Sequence, residues 1–203
     1  MLSNDAFAAP GLLGLALLRH QSVGPARLQW AGALASMVLA ALGSTYYHLS
    51  PDTPRLAWDR DGTVLTFSLV LAAVLAERRA ARAAALPVLM TLGLASVVYW
   101  QISEMQPGMQ GDLRWYLLFQ GGAFAAAAYV TLHCPTPAAA AAAPSTRWLV
   151  RSLALYTMAM ACDRLDSPLY WATLKTVSGH TLKHILVGAG CWQLVCMLHE
   201  RSS

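Results

Sequence analysis

The segment SGHTLKHILVGAGCWQLVCML, residues 178–198, is the most informative part of this chain. From residue 185 onward it is apolar except for Gln193, and its 21 residues are enough for a helix to cross a bilayer core of about 30 Å. Its first turns nevertheless carry His180, Lys183 and His184, and ionisable side chains are costly inside a membrane. The segment therefore predicts a membrane helix whose histidines have a function.

The rest of the chain has the same apolar character. Of its 203 residues, 57% are hydrophobic and only 12% are charged, whereas about 25% are charged in a soluble domain. The apolar residues fall into seven blocks, of which the first is short and contains Pro10. We predict an all-α polytopic membrane protein, a seven-transmembrane helix bundle that forms a single domain over residues 1–203. The blocks are Asn4–Leu18, Leu28–His48, Thr63–Ala76, Ala84–Gln101, Leu113–His133, Trp148–Leu165 and Ser178–Leu198.

The basic residues between the blocks predict an orientation. With seven spans, eight of them lie on the side opposite the N-terminus, including Arg78, Arg79 and Arg82, and five lie on the N-terminal side. Positive residues favour the cytoplasm, so we expect the N-terminus outside and the C-terminus in the cytoplasm. Asp5 is the only charge before Arg19, so the first block lacks the basic flank of a signal peptide and is predicted to be a span.

Several functional classes find no support in the sequence. The net charge of +4 is not arranged as a basic stripe with interleaved aromatic residues, so no nucleic-acid partner is predicted. There is no HExxH, GxSxG or P-loop motif. The four cysteines form no CxxC pair and lie in or beside apolar blocks, which favours small buried hydrophobic residues over a disulfide framework. The alanine-rich segment from Pro135 to Pro144 is predicted to be a cytoplasmic linker, because proline interrupts helices.

Polar residues recur at one predicted depth. Ser44 and His48 are four residues apart at the end of the second block, so they share a helix face. Asp59 follows a proline-containing turn at the entrance to the third block, and His180 and His184 share a face at the start of the seventh. When the seven spans alternate in direction, His48, Asp59, His180 and His184 all lie at the outer end of the bundle.

Three imidazoles and a carboxylate at one depth predict a metal site. Zinc accepts imidazole nitrogen, and catalytic zinc commonly has three protein ligands and one position for water. It lowers the pKa of that water to about 7, which yields a nucleophile at neutral pH. A carboxylate nearby can act as general base and then general acid, and a serine hydroxyl can stabilise an oxyanion or orient the water.

Each of these residues has a simpler explanation when it is considered alone. His48 could be a hydrogen-bonded histidine at a helix end, and the His180/His184 pair has a spacing that also suits haem or packing. Asp59 could form a surface ion pair with Arg60, and Ser44 could be a small residue at a helix contact. Their common predicted depth favours the metal site.

The combined motif resembles the alkaline ceramidase family. The motif has three parts: Ser44 and His48 separated by three residues, the tripeptide Trp58-Asp59-Arg60, and the segment Ser178–His184, which contains His180 and His184. The family belongs to a superfamily of seven-span membrane hydrolases that includes adiponectin-receptor and haemolysin III-like proteins. The segment Gly111–Tyr116 is similar to the bacterial branch. The resemblance extends from the second block to the seventh.

This resemblance implies an intramembrane zinc amidase that cleaves the N-acyl bond of ceramide-like lipids to a long-chain base and a fatty acid, a step of sphingolipid metabolism. His48, His180 and His184 correspond to the zinc ligands, Asp59 to the residue that activates the water, and Ser44 to the residue that supports the water or the oxyanion. A site at this depth suits a membrane lipid substrate that enters laterally from the bilayer, and we expect this route. The implied location is a bacterial inner membrane, with the site near its outer face.

The chain departs from the family pattern in places. After Trp58–Arg60 it continues with Asp61–Thr63, where the bacterial pattern has Leu-Pro-Met, so a second aspartate lies nearby and spacing favours Asp59. The acidic N-terminal region that binds calcium in eukaryotic members has no counterpart, so calcium is not implied. Lys183 is predicted to point away from the metal, toward the interface or a polar partner. Packing or interface roles are predicted for Tyr47, Trp58, Asp163, Arg164 and Asp166.

Two other functions are compatible with the sequence. The first is a receptor-like seven-span protein with a structural zinc. The presence of Asp59 at the spacing of the catalytic aspartate favours an enzyme over this alternative. The second is a haem-binding membrane protein, which normally pairs opposing histidines across two spans. Here His48, His180 and His184 are grouped at one end, and the remaining histidines are predicted at the other.

Overall fold

The computed structural model describes residues 4–20, 26–78, 85–108, 110–134 and 145–201, and within these ranges the chain forms helices and no strands. The predicted all-α class is confirmed. Each predicted block lies along one of seven long helices, and a short helix, α7, was not predicted. The bounds are α1 (Asp5–His20), α2 (Arg27–Leu49), α3 (Thr53–Glu77), α4 (Ala85–Glu104), α5 (Arg114–His133), α6 (Ser145–Arg164), α7 (Asp166–Ala172) and α8 (Gly179–Glu200).

Four of the helices are long and apolar enough to cross a membrane. They are α2, α4, α5 and α8, with 23, 20, 20 and 22 residues. Helix α1 contains a shorter apolar stretch, Ala6–Arg19. The chain therefore has the helices of an integral membrane protein, while the count of seven spans remains a prediction.

The start of α3 corrects the sequence prediction. The third block was predicted to begin at Thr63, but the helix begins ten residues earlier, at Thr53. The Asp52 side chain caps it by accepting a hydrogen bond from the Arg55 amide at 2.9 Å, and Pro54 suits the first turn. Asp59 consequently lies inside α3 and not in a turn before it. Hydrophobicity missed these turns because they are polar.

One end of the bundle is closed by two buried or half-buried glutamates, and we call it the glutamate end. Glu77 at the end of α3 accepts hydrogen bonds from Trp30 at the start of α2 and from both terminal nitrogens of Arg201 beyond α8. Glu200 at the end of α8 accepts from Arg147 and Trp148 at the start of α6. The contacts of Trp30 with Glu77 and of Trp148 with Glu200 join helix starts to helix ends, so α2 and α3 run in opposite directions, as do α6 and α8.

Arg78 extends this closure to α5. Its guanidinium donates to the carbonyl oxygens of Thr131 at 3.0 Å and Cys134 at 2.6 Å, and to the Thr146 hydroxyl at 2.8 Å. Only 8% of Arg78 is exposed, so this residue of the predicted cytoplasmic cluster ties helices together. The other members of that cluster, Arg79 and Arg82, and the predicted linker 135–144 lie outside the described residues.

The first helix belongs to the packed bundle. A Cβ atom at Gly188 of α8 would lie 2.5 Å from the Ala6 carbonyl oxygen, so α1 and α8 approach backbone to backbone. Trp30 and Leu34 of α2 and Leu198 of α8 are fully buried in the same apolar core as Phe7 of α1. Between α2 and α3, the hydroxyls of Ser36 and Thr66 are hydrogen-bonded at 2.9 Å.

Candidate metal centre

Three histidines from two helices converge at the end of the bundle opposite the glutamate end, which we call the histidine end. One ring nitrogen from each of His48, His180 and His184 lies within 4.8 Å of the other two. The ring centroids are 4.7 Å apart for His180 and His184, and 5.5 and 5.9 Å from that of His48. The structure therefore brings together the three residues predicted to bind a metal, while the metal itself remains a prediction.

The start of α8 is fixed by local contacts. Ser178 caps the helix by accepting a hydrogen bond from the Thr181 amide at 3.1 Å. The backbone amide of His180 donates to the Asp166 carboxylate at 2.7 Å. A Cβ atom at Gly179 would lie 2.7 Å from the Asp166 Cα, so only glycine permits this approach of α8 to α7. These contacts set the position of both histidines in α8.

The two ring nitrogens of His180 have different surroundings. Nδ1 is 3.1 Å from an Asp163 carboxylate oxygen and 3.1 Å from Lys183 Nζ, and Lys183 Nζ is 3.0 Å from the same carboxylate oxygen. Nε2 is buried and has no hydrogen-bond partner among the described residues. A buried polar atom without a partner is unfavourable unless something binds it. The histidine cluster therefore fits a metal that accepts imidazole nitrogen.

Lys183 has the polar partner that was one of its two predicted surroundings, but this partner lies beside His180. The partner is Asp163, so Lys183 does not point away from the site. Asp163 and Asp166 both contact His180, although they were predicted to be interface charges. Of Asp163, Arg164 and Asp166, only Arg164 is exposed. Asp163 ends α6 at the depth of the histidines, and that depth was the signal available in the sequence.

Ser44 and Asp59 lie beside the histidines. Ser44 is 2% exposed and donates a hydrogen bond to the Asn4 side chain at 3.3 Å, while Asn4 donates to the Thr45 hydroxyl at 3.0 Å. The Asp59 carboxyl interacts with the Ser44 hydroxyl and with the charges of Lys183 and the nearby histidines. Asn4 is a residue that the sequence argument missed as part of the site. It is 1% exposed at the start of the first helix, at the same end of the bundle.

Arg60 contacts aromatic rings and forms no close ion pair with Asp59. Its guanidinium carbon lies 3.6 Å from the centre of the Trp100 ring and 5.3 Å from that of Tyr116, so the cation stacks between aromatic rings. No ion pair between Asp59 and Arg60 occurs among the described residues. The simple surface ion pair considered for Asp59 is therefore wrong, and its carboxylate is available for the site.

Aromatic rings border the histidines. The Phe7 ring meets His184 edge to face, with centroids 5.6 Å apart, and Tyr47 packs on His48 at 5.3 Å. The packing or interface role of Tyr47 remains a prediction. Trp58 is 63% exposed and points away from the cluster into the surroundings of the bundle.

A cavity of about 250 Å³ leads from the site into the bundle. Asp59, Ser44 and His184 line its polar end, and Asp61 is not part of the lining. Along α8 the lining extends from Lys183 to Leu194, eleven residues or about 16 Å of helix. Most of the other lining side chains are apolar, and they come from α1, α2, α3, α5, α6 and α8.

Comparison of the sequence with family models and with curated proteins identifies no relative. No protein-family model matches the chain, and no curated protein matches its sequence significantly. The candidate site therefore rests on its own geometry: three convergent imidazoles, one carboxylate and a buried hydroxyl at the head of an apolar cavity.

Proposed function

We propose that this protein is a zinc-dependent hydrolase that cleaves the amide bond of ceramide-like N-acyl lipids. The observation that carries the proposal is the convergence of three imidazoles, one with a buried and unpartnered Nε2, beside Asp59 and at the head of an apolar cavity. A binding surface without chemistry does not require a carboxylate at this position.

His48, His180 and His184 are the proposed zinc ligands. Because the three imidazoles are neutral, a bound zinc would keep its charge of +2. Three protein ligands would also leave one coordination position for water, as is common in catalytic zinc sites. Zinc held in this way supplies a Lewis acid that makes water nucleophilic at neutral pH. The His48 nitrogen comes from α2 and the other two from α8, so a metal would also join these helices.

Asp59 and Ser44 are the proposed acid–base and supporting residues. Asp59 accepts a proton as water adds to the amide carbonyl carbon, and returns it to the nitrogen as the C–N bond breaks. The products are a fatty acid and a long-chain amine. Ser44 interacts with the Asp59 carboxyl, and its hydroxyl can hold that carboxyl in place or donate to the developing oxyanion.

The cavity supports a lipid substrate. Its polar end holds the proposed catalytic groups, and its apolar length follows α8 toward Leu194. An acyl chain in this cavity would place its amide at the histidines while its methylene groups remain out of water. We propose that the substrate enters laterally from the bilayer.

The proposed topology has seven spans with the N-terminus outside. Helices α1, α3 and α6 complete the set formed by the four apolar helices, and the basic residues favour a cytoplasmic glutamate end. The site then faces the outer side of a bacterial inner membrane. Labelling of single introduced cysteines near Trp58 and near His133 with an impermeant reagent tests this orientation.

The deciding experiment measures zinc and hydrolysis on the same preparations. Elemental analysis of detergent-purified wild type is expected to give about one zinc per chain, and His184→Ala is expected to lose it. His133→Ala, at the exposed end of α5, is the matched control and should keep the metal. Fatty-acid release from a panel of N-acyl lipids, ceramides included, should follow the zinc.

Two outcomes would contradict the proposal. Zinc without hydrolysis of any N-acyl lipid would favour a receptor-like protein with a structural metal. A haem absorption band in place of zinc would favour the haem-binding alternative.

A further inference from the structure

Two groups compete for the Nδ1 atom of His180. One is a carboxylate oxygen of Asp163 at 3.1 Å, which accepts hydrogen bonds, and the other is Lys183 Nζ at 3.1 Å, which donates them. A neutral imidazole carries one hydrogen, on Nδ1 or on Nε2. Which group Nδ1 bonds to therefore decides which tautomer His180 adopts.

The buried Nε2 atom decides between the tautomers. If the hydrogen were on Nε2, a buried donor would have no acceptor among the described residues, which is unfavourable. If it is on Nδ1, that atom donates to Asp163, and the buried Nε2 keeps a lone pair that a metal could accept. Lys183 then bonds to Asp163, its partner at 3.0 Å, and not to the ring.

We infer that Asp163 is a positioning residue that fixes the Nδ1–H tautomer of His180 and thereby raises the affinity of the histidine cluster for zinc. The inference rests on the metal site of the proposed function but not on any lipid substrate. Metal-binding histidines generally donate their second ring N–H to a carboxylate or carbonyl group, which orients the ring and increases its basicity. Lys183 completes the arrangement by holding the carboxylate in place.

Asp166 has a different part in the same region. Its carboxylate accepts from the backbone amide of His180 at 2.7 Å, so it fixes the start of α8 and not the ring. Of the two aspartates, Asp163 is the one that contacts the ring, through Nδ1 at 3.1 Å. The two aspartates are three residues apart and can be distinguished by their effects on metal affinity and on folding.

The test measures zinc affinity by competition with a chelator in detergent-purified protein. Asp163→Asn is expected to weaken zinc binding about 10- to 100-fold. Asp112→Asn is the matched control, because Asp112 also lies at the histidine end and pairs with Arg114 without contacting a histidine. It should leave zinc affinity unchanged. Thermal unfolding of the metal-free variants shows whether a loss of affinity has a folding cause.

A double variant separates tautomer control from simple charge. Asp163→Asn with Lys183→Gln removes one negative and one positive charge, so the net charge near the histidines equals that of the wild type. If Asp163 acts through the tautomer, the double variant still binds zinc weakly. Affinity restored to the wild-type value would overturn the inference.

The remaining outcomes separate this inference from the proposed function. Asp163→Asn that binds zinc as tightly as the wild type contradicts the inference and leaves the hydrolase proposal intact. A wild type that binds no zinc contradicts both. Zinc that binds normally and depends on Asp163, without amide hydrolysis, supports the inference and contradicts only the proposed function.

Discussion

Gly43 of α2 and Trp58 of α3 bring their helices into backbone contact. A Cβ atom at position 43 would lie 2.7 Å from the Trp58 carbonyl carbon and 3.0 Å from the Asp59 amide nitrogen, closer than side chains normally approach. The next residues along the two helices are Ser44 and Asp59, whose side chains interact. The absence of a side chain at position 43 therefore sets the distance between the proposed catalytic groups.

The first prediction is that Gly43→Ala damages both stability and the site. The added methyl group must push α3 away from α2, and overpacking of this kind costs about 1–3 kcal/mol. Because the shift occurs beside Asp59, hydrolysis should fall further than the loss of folded protein explains. Thermal unfolding in detergent and the rate of fatty-acid release per zinc-loaded molecule measure the two effects.

Gly121→Ala is the control for this variant. Gly121 lies in α5, and a Cβ atom there would meet no atom within 4 Å. Alanine is favoured over glycine in a helix by about 1 kcal/mol, so stability should stay the same or rise. Equal behaviour of the two variants would mean that close packing at Gly43 does not position the site.

A second prediction concerns the two neighbouring aspartates. Asp59→Asn should retain zinc and lower hydrolysis about 100- to 10,000-fold, because the amide cannot accept the proton from water. Asp61→Asn should retain both zinc and hydrolysis, since Asp61 is on the same helix but outside the cavity lining. Zinc analysis and single-turnover hydrolysis of both variants provide the measurement. Full activity in Asp59→Asn would show that the mechanism is wrong.

Third, the glutamate end should affect stability without affecting the metal. Glu77 accepts from Trp30 and Arg201, and the side chains of Glu77 and Arg201 are only 12% and 10% exposed. Glu77→Gln removes the charge from these hydrogen bonds and should destabilise the fold by about 1.5–3 kcal/mol. Zinc affinity should not change, because Glu77 is 18 residues, or about 27 Å of helix, from Asp59. Weaker zinc binding by folded Glu77→Gln protein would contradict the expectation that the glutamate end does not affect the metal site.

Apolar block length predicted most helices because most blocks span nearly a whole helix. Leu113–His133, for example, was predicted where α5 extends from Arg114 to His133. The method failed at α3, where the capping residue Asp52 and Pro54 begin a helix whose first turns are polar. It also missed α7, which has only seven residues and is followed by Leu174 and Lys175 in left-handed conformations.

The candidate site was predictable as far as depth could be counted. Alternating spans bring His48 to the end of the bundle where α8 begins. Ser44 and His48 are four residues apart on one helix, and His180 and His184 are four apart on another. The direction in which each side chain points could not be predicted from the sequence. Lys183 turns toward Asp163 because that carboxylate pairs with it, and the sequence gives no rotamer. Asn4 was missed because its partner Ser44 is 40 residues away in the chain.

The last prediction concerns the far end of the cavity. Ala127 lines it on α5, eleven residues or about 16 Å of helix beyond Tyr116, and is 7% exposed. Ala127→Leu should fill this end and lower kcat/KM for long acyl chains more than for short ones, because only long chains need the space. Ala125→Leu, at an exposed position of the same helix, should leave the ratio unchanged. Equal losses for both chain lengths in Ala127→Leu would show that the acyl chain does not occupy the cavity.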